Sequence, residues 1–277
     1  MEKGLFRYFG LSNENKLALV GHSHLMLGVD KLELESQLKQ PISKYTREGV
    51  NVADRELMVE QLLEENPKLK WVIYGVDAWM FTGEGLSANS YKLFYPFMDQ
   101  EKIARYVKES TSSQDYVQHK WIKTSRYNEG LINSAMRGHL SNWSNYKLGK
   151  VDVKLLEQNV GKGIFRKINS AEENRQIFLR TLKTLKTKGI KVVLVYVPTI
   201  ASYNQAEPEK FEKELDFFRA LDQNNSDVFY LEYLKDWESK HEFFFDPIHL
   251  NPEGQKAFTN ALSKDLKFLV DDGVSRI

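Results

Sequence analysis

KLALVGHSH, running from Lys16 to His24, is the stretch whose reading decides the fold. Leu17 to Val20 is an unbroken apolar run, which suits a strand buried on both faces. Gly21 and the small polar residues after it read as the strand's exit into a loop. A strand of this kind belongs inside a sheet with both faces covered, so the rest of the chain should supply helices between further apolar runs.

It does. Asp30 precedes LELESQLKQ, where Leu32, Leu34 and Leu38 allow a short helix that Pro41 stops, and Ile42 to Thr46 follows as a second strand. Residues 53–65 put Leu57, Met58, Leu62 and Val59 or Leu63 on one side at helical spacing, and WVIYGV (Trp71 to Val76) is a third buried strand. Ser170 and Glu173 read as a capping box for a helix carrying Phe178, Leu182 and Leu185, which Gly189 ends before the strand IKVVLVYV. A helix over 208–221, a fifth strand in DVFYLEY (Asp227 to Tyr233) and a last helix opened by Asn251-Pro252-Glu253 complete the pattern. Strands alternating with amphipathic helices predict an α/β fold, a parallel sheet with helices on both faces, as one domain over residues 1–277.

Between about residues 83 and 169 the alternation stops. This stretch is read as a mostly helical insertion rich in aromatic residues (Tyr91, Phe94, Tyr95, Phe97, Trp121, Tyr127, Trp143, Tyr146), forming a lid or substrate wall. From Asp99 to Ser170 it carries 13 Lys and Arg against 7 Asp and Glu, a local basic excess that reads first as a solvated helical face. The whole chain of 277 residues balances 39 basic against 38 acidic side chains, so no global field draws nucleic acid. There is no cysteine, which excludes disulfides, thiolate chemistry and cysteine-ligated zinc. No run approaches the roughly 20 apolar residues of a membrane span. The first core strand starts near Lys16, and an anchor or signal ahead of it in a longer protein, with an extracytoplasmic location, is compatible with that start; the compartment stays open.

In open α/β sheets, ligands settle beyond the carboxyl ends of the strands, so polar residues there carry the most weight. Ser23 stands there, directly after Gly21 and His22. A serine alcohol becomes a nucleophile only when a base takes its proton, and the candidate base is His249 in FFFDPIHLNPEG, with Asp246 three residues before it. That spacing lets one turn hold both side chains, the carboxylate facing one ring nitrogen and the serine the other. His22 and His24, with His249 and Asp246, also have the residue types of a zinc site, though the reading requires no metal or cofactor.

Gly21-His22-Ser23-His24 after strand one and Asp246-Pro247-Ile248-His249 near the other end resemble the blocks of the SGNH or GDSL-type esterase superfamily, and in particular its branches related to polysaccharide O-acetyltransferases. The resemblance implies a three-layer α/β/α flavodoxin-like sheet, Ser23 as nucleophile and Asp246 and His249 as its partners. It also implies an oxyanion hole built from the N–H of Ser23, a glycine after strand two (Gly49) and a residue after strand three. There Gly75-Val76-Asp77 carries an aspartate where the superfamily has asparagine, and His22 stands where it has an acidic residue. An ionised carboxylate repels an oxyanion, so Asp77 would need to be protonated, turned away or replaced by a donor such as Asn51 or Asn89. His22, His24, Asn51, Trp79 and Thr199 are the candidate substrate-binding residues. The implied activity is ester hydrolysis through an acyl-serine, on an acyl ester that could be an acylated carbohydrate. Two alternatives stand beside it: O-acyl transfer to a cell-surface polysaccharide, and a non-catalytic module of the same fold that binds a glycan or a protein.

Overall fold

A computed structural model describes residues 15–82, 89–140 and 145–271. The N-terminal segment and Trp143, both considered above, lie outside them. Five parallel strands form the central sheet: β1 (Leu17–Gly21), β2 (Ile42–Thr46), β3 (Trp71–Val76), β4 (Lys191–Tyr196) and β5 (Val228–Glu232). Their order is β2-β1-β3-β4-β5, the flavodoxin-like arrangement in which the chain reverses direction across the sheet at β1 and β3. The expected three-layer α/β/α fold is present.

Every residue of β1 and β3 is buried, as their continuous apolar runs require. Side chains alternate across a strand, so Tyr74 and position 75 face opposite layers. Tyr74 meets Phe178 of α8 (Glu172–Thr187), which packs in turn on Phe217 and Phe218 of α10 (Pro208–Asn224). The same layer holds α3 (Val52–Glu65), packed against α8. On the other side lies α1 (Ser23–Gly28), and a Cβ on Gly75 would come within 2.9 Å of Leu25 Cβ. Only glycine at the end of β3 lets that short helix approach. The second layer also includes α2 (Lys31–Leu38) and α11 (Pro252–Asp271), which packs on α1 and α2.

Two local readings are corrected. The chain leaves β1 not into a loop but straight into α1, with His22 as the N-cap. The Ser170–Glu173 capping box is absent: α8 starts at Glu172 behind Ala171, which makes no side-chain cap. Ser170 Oγ instead donates to the buried Glu214 carboxylate at 2.6 Å, a charged acceptor that competes well against a helix end. The Asp246–His249 turn joins a small antiparallel hairpin, β6 (Phe244–Asp246) and β7 (His249–Leu250), outside the main sheet.

The insertion is mostly helical where described: a 3-10 stretch over Ser90–Phe97, α4 (Glu101–Ser110), α5 (Ser113–Trp121), a second 3-10 turn, α6 (Glu129–His139) and α7 (Val153–Gly161). Ile103, Val107 and Leu156 tie it to the main core. A four-residue helix, α9 (Ala201–Asn204), follows β4. No described helix is long and apolar enough to cross a membrane.

Candidate active site

β1 ends under Ser23, the first residue of α1, and the β6–β7 hairpin brings His249 to it. The Ser23 hydroxyl lies 2.8 Å from His249 Nε2, and His249 Nδ1 lies 2.7 Å from Asp246 Oδ2. Asp246 Oδ1 accepts the backbone N–H groups of Ile248 (3.0 Å) and His249 (2.9 Å), so the tight turn itself aims the carboxylate. Burial pushes the Asp246 carboxyl up, but the hydrogen bond and charge of His249 and those N–H groups outweigh it and hold it below the ordinary value. An ionised Asp246 accepts a hydrogen bond from Nδ1–H, which fixes the proton there and leaves the Nε2 lone pair facing the serine. Ser23 is half-buried and His249 is buried. The structure thus brings Ser23, His249 and Asp246 into one hydrogen-bonded series.

Two backbone N–H groups flank the serine in the sequence reading. Ser23 N–H opens α1, where the first-turn donors have no helical partner. Gly49, in the turn after β2, has φ 77°, a left-handed conformation that favours glycine. Among the described residues neither N–H makes a hydrogen bond within the protein.

His22 and Asp77 meet directly: Asp77 Oδ2 accepts from His22 Nε2, and Asp77 Oδ1 accepts from Trp79 N–H at 2.8 Å. Burial lowers the His22 pKa despite the adjacent charge of Asp77. Burial alone would raise that of Asp77, but the adjacent His22 outweighs it and lowers the carboxyl. Both Asp77 oxygens are thus occupied by internal donors, which matches the turned-away case among the three left open above. His24 is buried with its ring edge-to-face with both His22 (centroids 4.5 Å) and His249 (5.2 Å), and burial followed by His22 keeps it neutral.

Three other candidates serve the framework instead of a substrate wall. Asn51 forms a reciprocal capping box with Asp54 at the start of α3. Trp79 is buried, its Nε1–H donating to Arg166 O at 2.9 Å and its ring against Tyr203. Thr199 is fully buried and donates to Asn204 Oδ1 at 2.6 Å. Asn51 Oδ1, Trp79 Nε1 and Thr199 Oγ1 each have an internal hydrogen-bond partner. Asn89 opens the 3-10 stretch as an exposed residue.

Among the described residues, the potential metal donors that come together are His22, His24 and Asp77, whose ligand atoms lie within 4.8 Å of one another; this is not the set with His249 and Asp246. Their hydrogen bonds do not fit an ion. His22 Nδ1 already accepts His24 N–H at 3.2 Å, so Nε2 must carry the ring proton and has no lone pair for a metal.

Several structural residues escaped the sequence reading. Arg55 is fully buried, donates to Gly75 O (3.0 Å) and Asn51 O (3.3 Å) and lies over the Tyr74 ring. A charge at helical spacing between Val52 and Val59 was the available signal. Lys147 pairs with Glu48 (2.6 Å) and lies over the Phe245 ring, while Val151 N–H donates to Phe244 O (3.0 Å). Residues 145–151 therefore run as a strap from the turn that holds Gly49 to the hairpin that holds Asp246. Under the strap's start is a cleft of about 350 Å³ lined by Met26 and Leu27 of α1, Glu48, Arg137 and residues 145–147.

No family model matches the sequence. Nor does any curated protein match it. Solved structures are similar in layout. The C-terminal catalytic domain of Streptococcus pneumoniae peptidoglycan O-acetyltransferase A, bearing a methylsulfonyl adduct, is 11% identical over 95% of this chain and 97% of its own, with TM-score 0.43. A Corynascus thermopiles carbohydrate esterase family 2 enzyme with its carbohydrate-binding domain is 7% identical over 94% of this chain and 68% of its own, with TM-score 0.45. An acetyl xylan esterase of the rumen bacterium Butyrivibrio proteoclasticus is 10% identical over 93% of this chain and 64% of its own, with TM-score 0.43. At these identities and TM-scores the likeness carries no residue role or substrate over to this chain, and function has to be read from the site's own geometry.

Proposed function

We propose that this protein is a serine-dependent ester hydrolase acting through an acyl-serine on Ser23. The observation that carries the reading is the series Ser23 Oγ, His249, Asp246, with both hydrogen bonds below 3 Å and the carboxylate ionised. As Oγ attacks the ester carbonyl, His249 Nε2 takes its proton, and Asp246 stabilises the imidazolium. The carbonyl π electrons move to oxygen, facing the N–H groups of Ser23 and Gly49. Collapse of the tetrahedral species breaks the bond to the alcohol, which leaves with the proton from His249. Water, deprotonated by the same imidazole, then attacks the acyl-serine, and the acid departs as His249 returns that proton to Ser23 Oγ.

The cleft beside α1 supports a second reading, in which a sugar hydroxyl replaces water as acceptor. Met26 and Leu27 line the cleft together with Asn145, Tyr146 and the charged Glu48, Arg137 and Lys147, a mixed surface that suits the apolar and hydroxylated faces of a carbohydrate. An acylated carbohydrate is the ester this arrangement favours. Both oxygens of Asp77 face internal donors, which favours the catalytic reading over a non-catalytic module.

Quenching the reaction with p-nitrophenyl acetate and reading intact and peptide masses tests the proposal. One acetyl group on Ser23, absent in Ser23→Ala, is the expected result, and no acetylated species in folded protein contradicts it. Adding an oligosaccharide panel divides the readings: an acetylated sugar establishes transfer, and release of acetate unaffected by any sugar establishes hydrolysis.

A further inference from the structure

The two departures from the Gly-Asp-Ser and Gly-x-Asn blocks touch each other. β1 and β3 are neighbouring parallel strands, so His22 and Asp77, each just past a strand end, are delivered to the same edge. Their hydrogen bonds form a series with a direction. Trp79 N–H donates to Asp77 Oδ1, His22 Nε2–H donates to Asp77 Oδ2, and His22 Nδ1 accepts from His24 N–H. Only one tautomer of a neutral ring satisfies both ends. His22 is the N-cap of α1, and Ser23 is the next residue.

We propose that Asp77 and His22 are a positioning pair: the aspartate fixes the ring, the ring fixes the first turn of α1, and that turn sets the Ser23 N–H and hydroxyl. The inference rests on the acyl-serine reading and names residues that serve it without touching substrate. It also explains how an aspartate sits beside an oxyanion site, since both of its oxygens already accept hydrogen bonds. An asparagine cannot take its place. With its Oδ1 on Trp79 N–H, its amide would donate to His22 Nε2 and force the proton onto Nδ1, where it would oppose His24 N–H. In the flipped orientation the amide would oppose Trp79 N–H instead. Either way one bond of the series becomes a clash of two donors.

Asp77→Asn separates this account from its rival by sign. If position 77 works as an oxyanion donor, as in the Gly-x-Asn block, the substitution raises kcat for p-nitrophenyl acetate. The positioning pair predicts that kcat falls about 10- to 100-fold while KM changes little. His22→Ala should fall comparably, and Asp77→Asn with His22→Ala should fall no further than the larger single loss, because both remove one device. The wild-type chain provides a test that needs no variant to fold: 15N NMR should show His22 protonated at Nε2 and bare at Nδ1 near neutral pH. A proton on Nδ1, additive losses, or kcat in Asp77→Asn at or above wild type would overturn the pairing. Wild-type turnover no faster than Ser23→Ala would overturn the acyl-serine reading itself, a result distinguishable from an active wild type with an unimpaired Asp77→Asn.

Discussion

Asp246 accepts three hydrogen bonds, two from its own turn and one from His249, and all three favour its charged form. Its pKa in the folded protein is below the unfolded value. The stabilisation it contributes is therefore complete above about pH 4 and is lost as pH falls through the folded pKa. Asp246→Asn should fall less steeply in stability on the acid side than the wild type, measured by urea midpoints at several acid pH values; equal slopes would contradict the linkage. The same variant should lose on the order of 100- to 10,000-fold in kcat for an activated ester, because the amide no longer fixes the His249 tautomer. That Ser23, His249 and Asp246 would meet was legible in the sequence because a strand exit and a four-residue Asp-x-x-His turn are local signals. The His22–Asp77 contact was not, since it needs the register of β1 on β3 and joins residues 55 apart.

At the scale of elements, α1 is held at both ends. His22 caps its start, and the buried Lys44 of β2 donates to Met26 O (2.8 Å) and Val29 O (2.6 Å) at its finish. Burial, with smaller opposing and reinforcing effects of Asp30, Lys31 and Arg137, lowers the Lys44 pKa to about 7. Above that pH the unfolded chain binds a proton that the folded one does not, so stability rises with pH from about 7 towards 10. The urea midpoint of wild type should be higher at pH 9 than at pH 7, and Lys44→Met should lose that difference; a rise retained in the variant would contradict the assignment. The strands were readable because unbroken apolar runs mark strands covered on both faces. The helix α1 was not, since it has six residues and a histidine cap in place of the usual Ser, Thr, Asp or Asn. The supposed box at Ser170 failed for the opposite reason, a good local signal overridden by Glu214, 44 residues away.

Across the whole molecule, the insertion returns to the sheet through the strap at 145–151, and Gln255 of α11 is its tie. Its Nε2 donates to Leu27 O and to Asn145 O, both at 2.7 Å, joining α1, the strap and the last helix. Gln255→Met should raise KM for a carbohydrate ester several-fold while leaving kcat on p-nitrophenyl acetate nearly unchanged, at a stability cost of roughly 1–3 kcal/mol. Unchanged KM would show that the strap does not form the substrate wall. The alternation of strands and helices announced the sheet, whereas the strap has no periodicity and its partners come from three distant parts of the chain. The most direct measurement of the central claim, an activated serine at position 23, is labelling by a fluorophosphonate probe. It predicts labelling of the wild type that disappears in both Ser23→Ala and His249→Ala; a folded wild-type chain that takes up no probe, or labelling that survives Ser23→Ala, would contradict it.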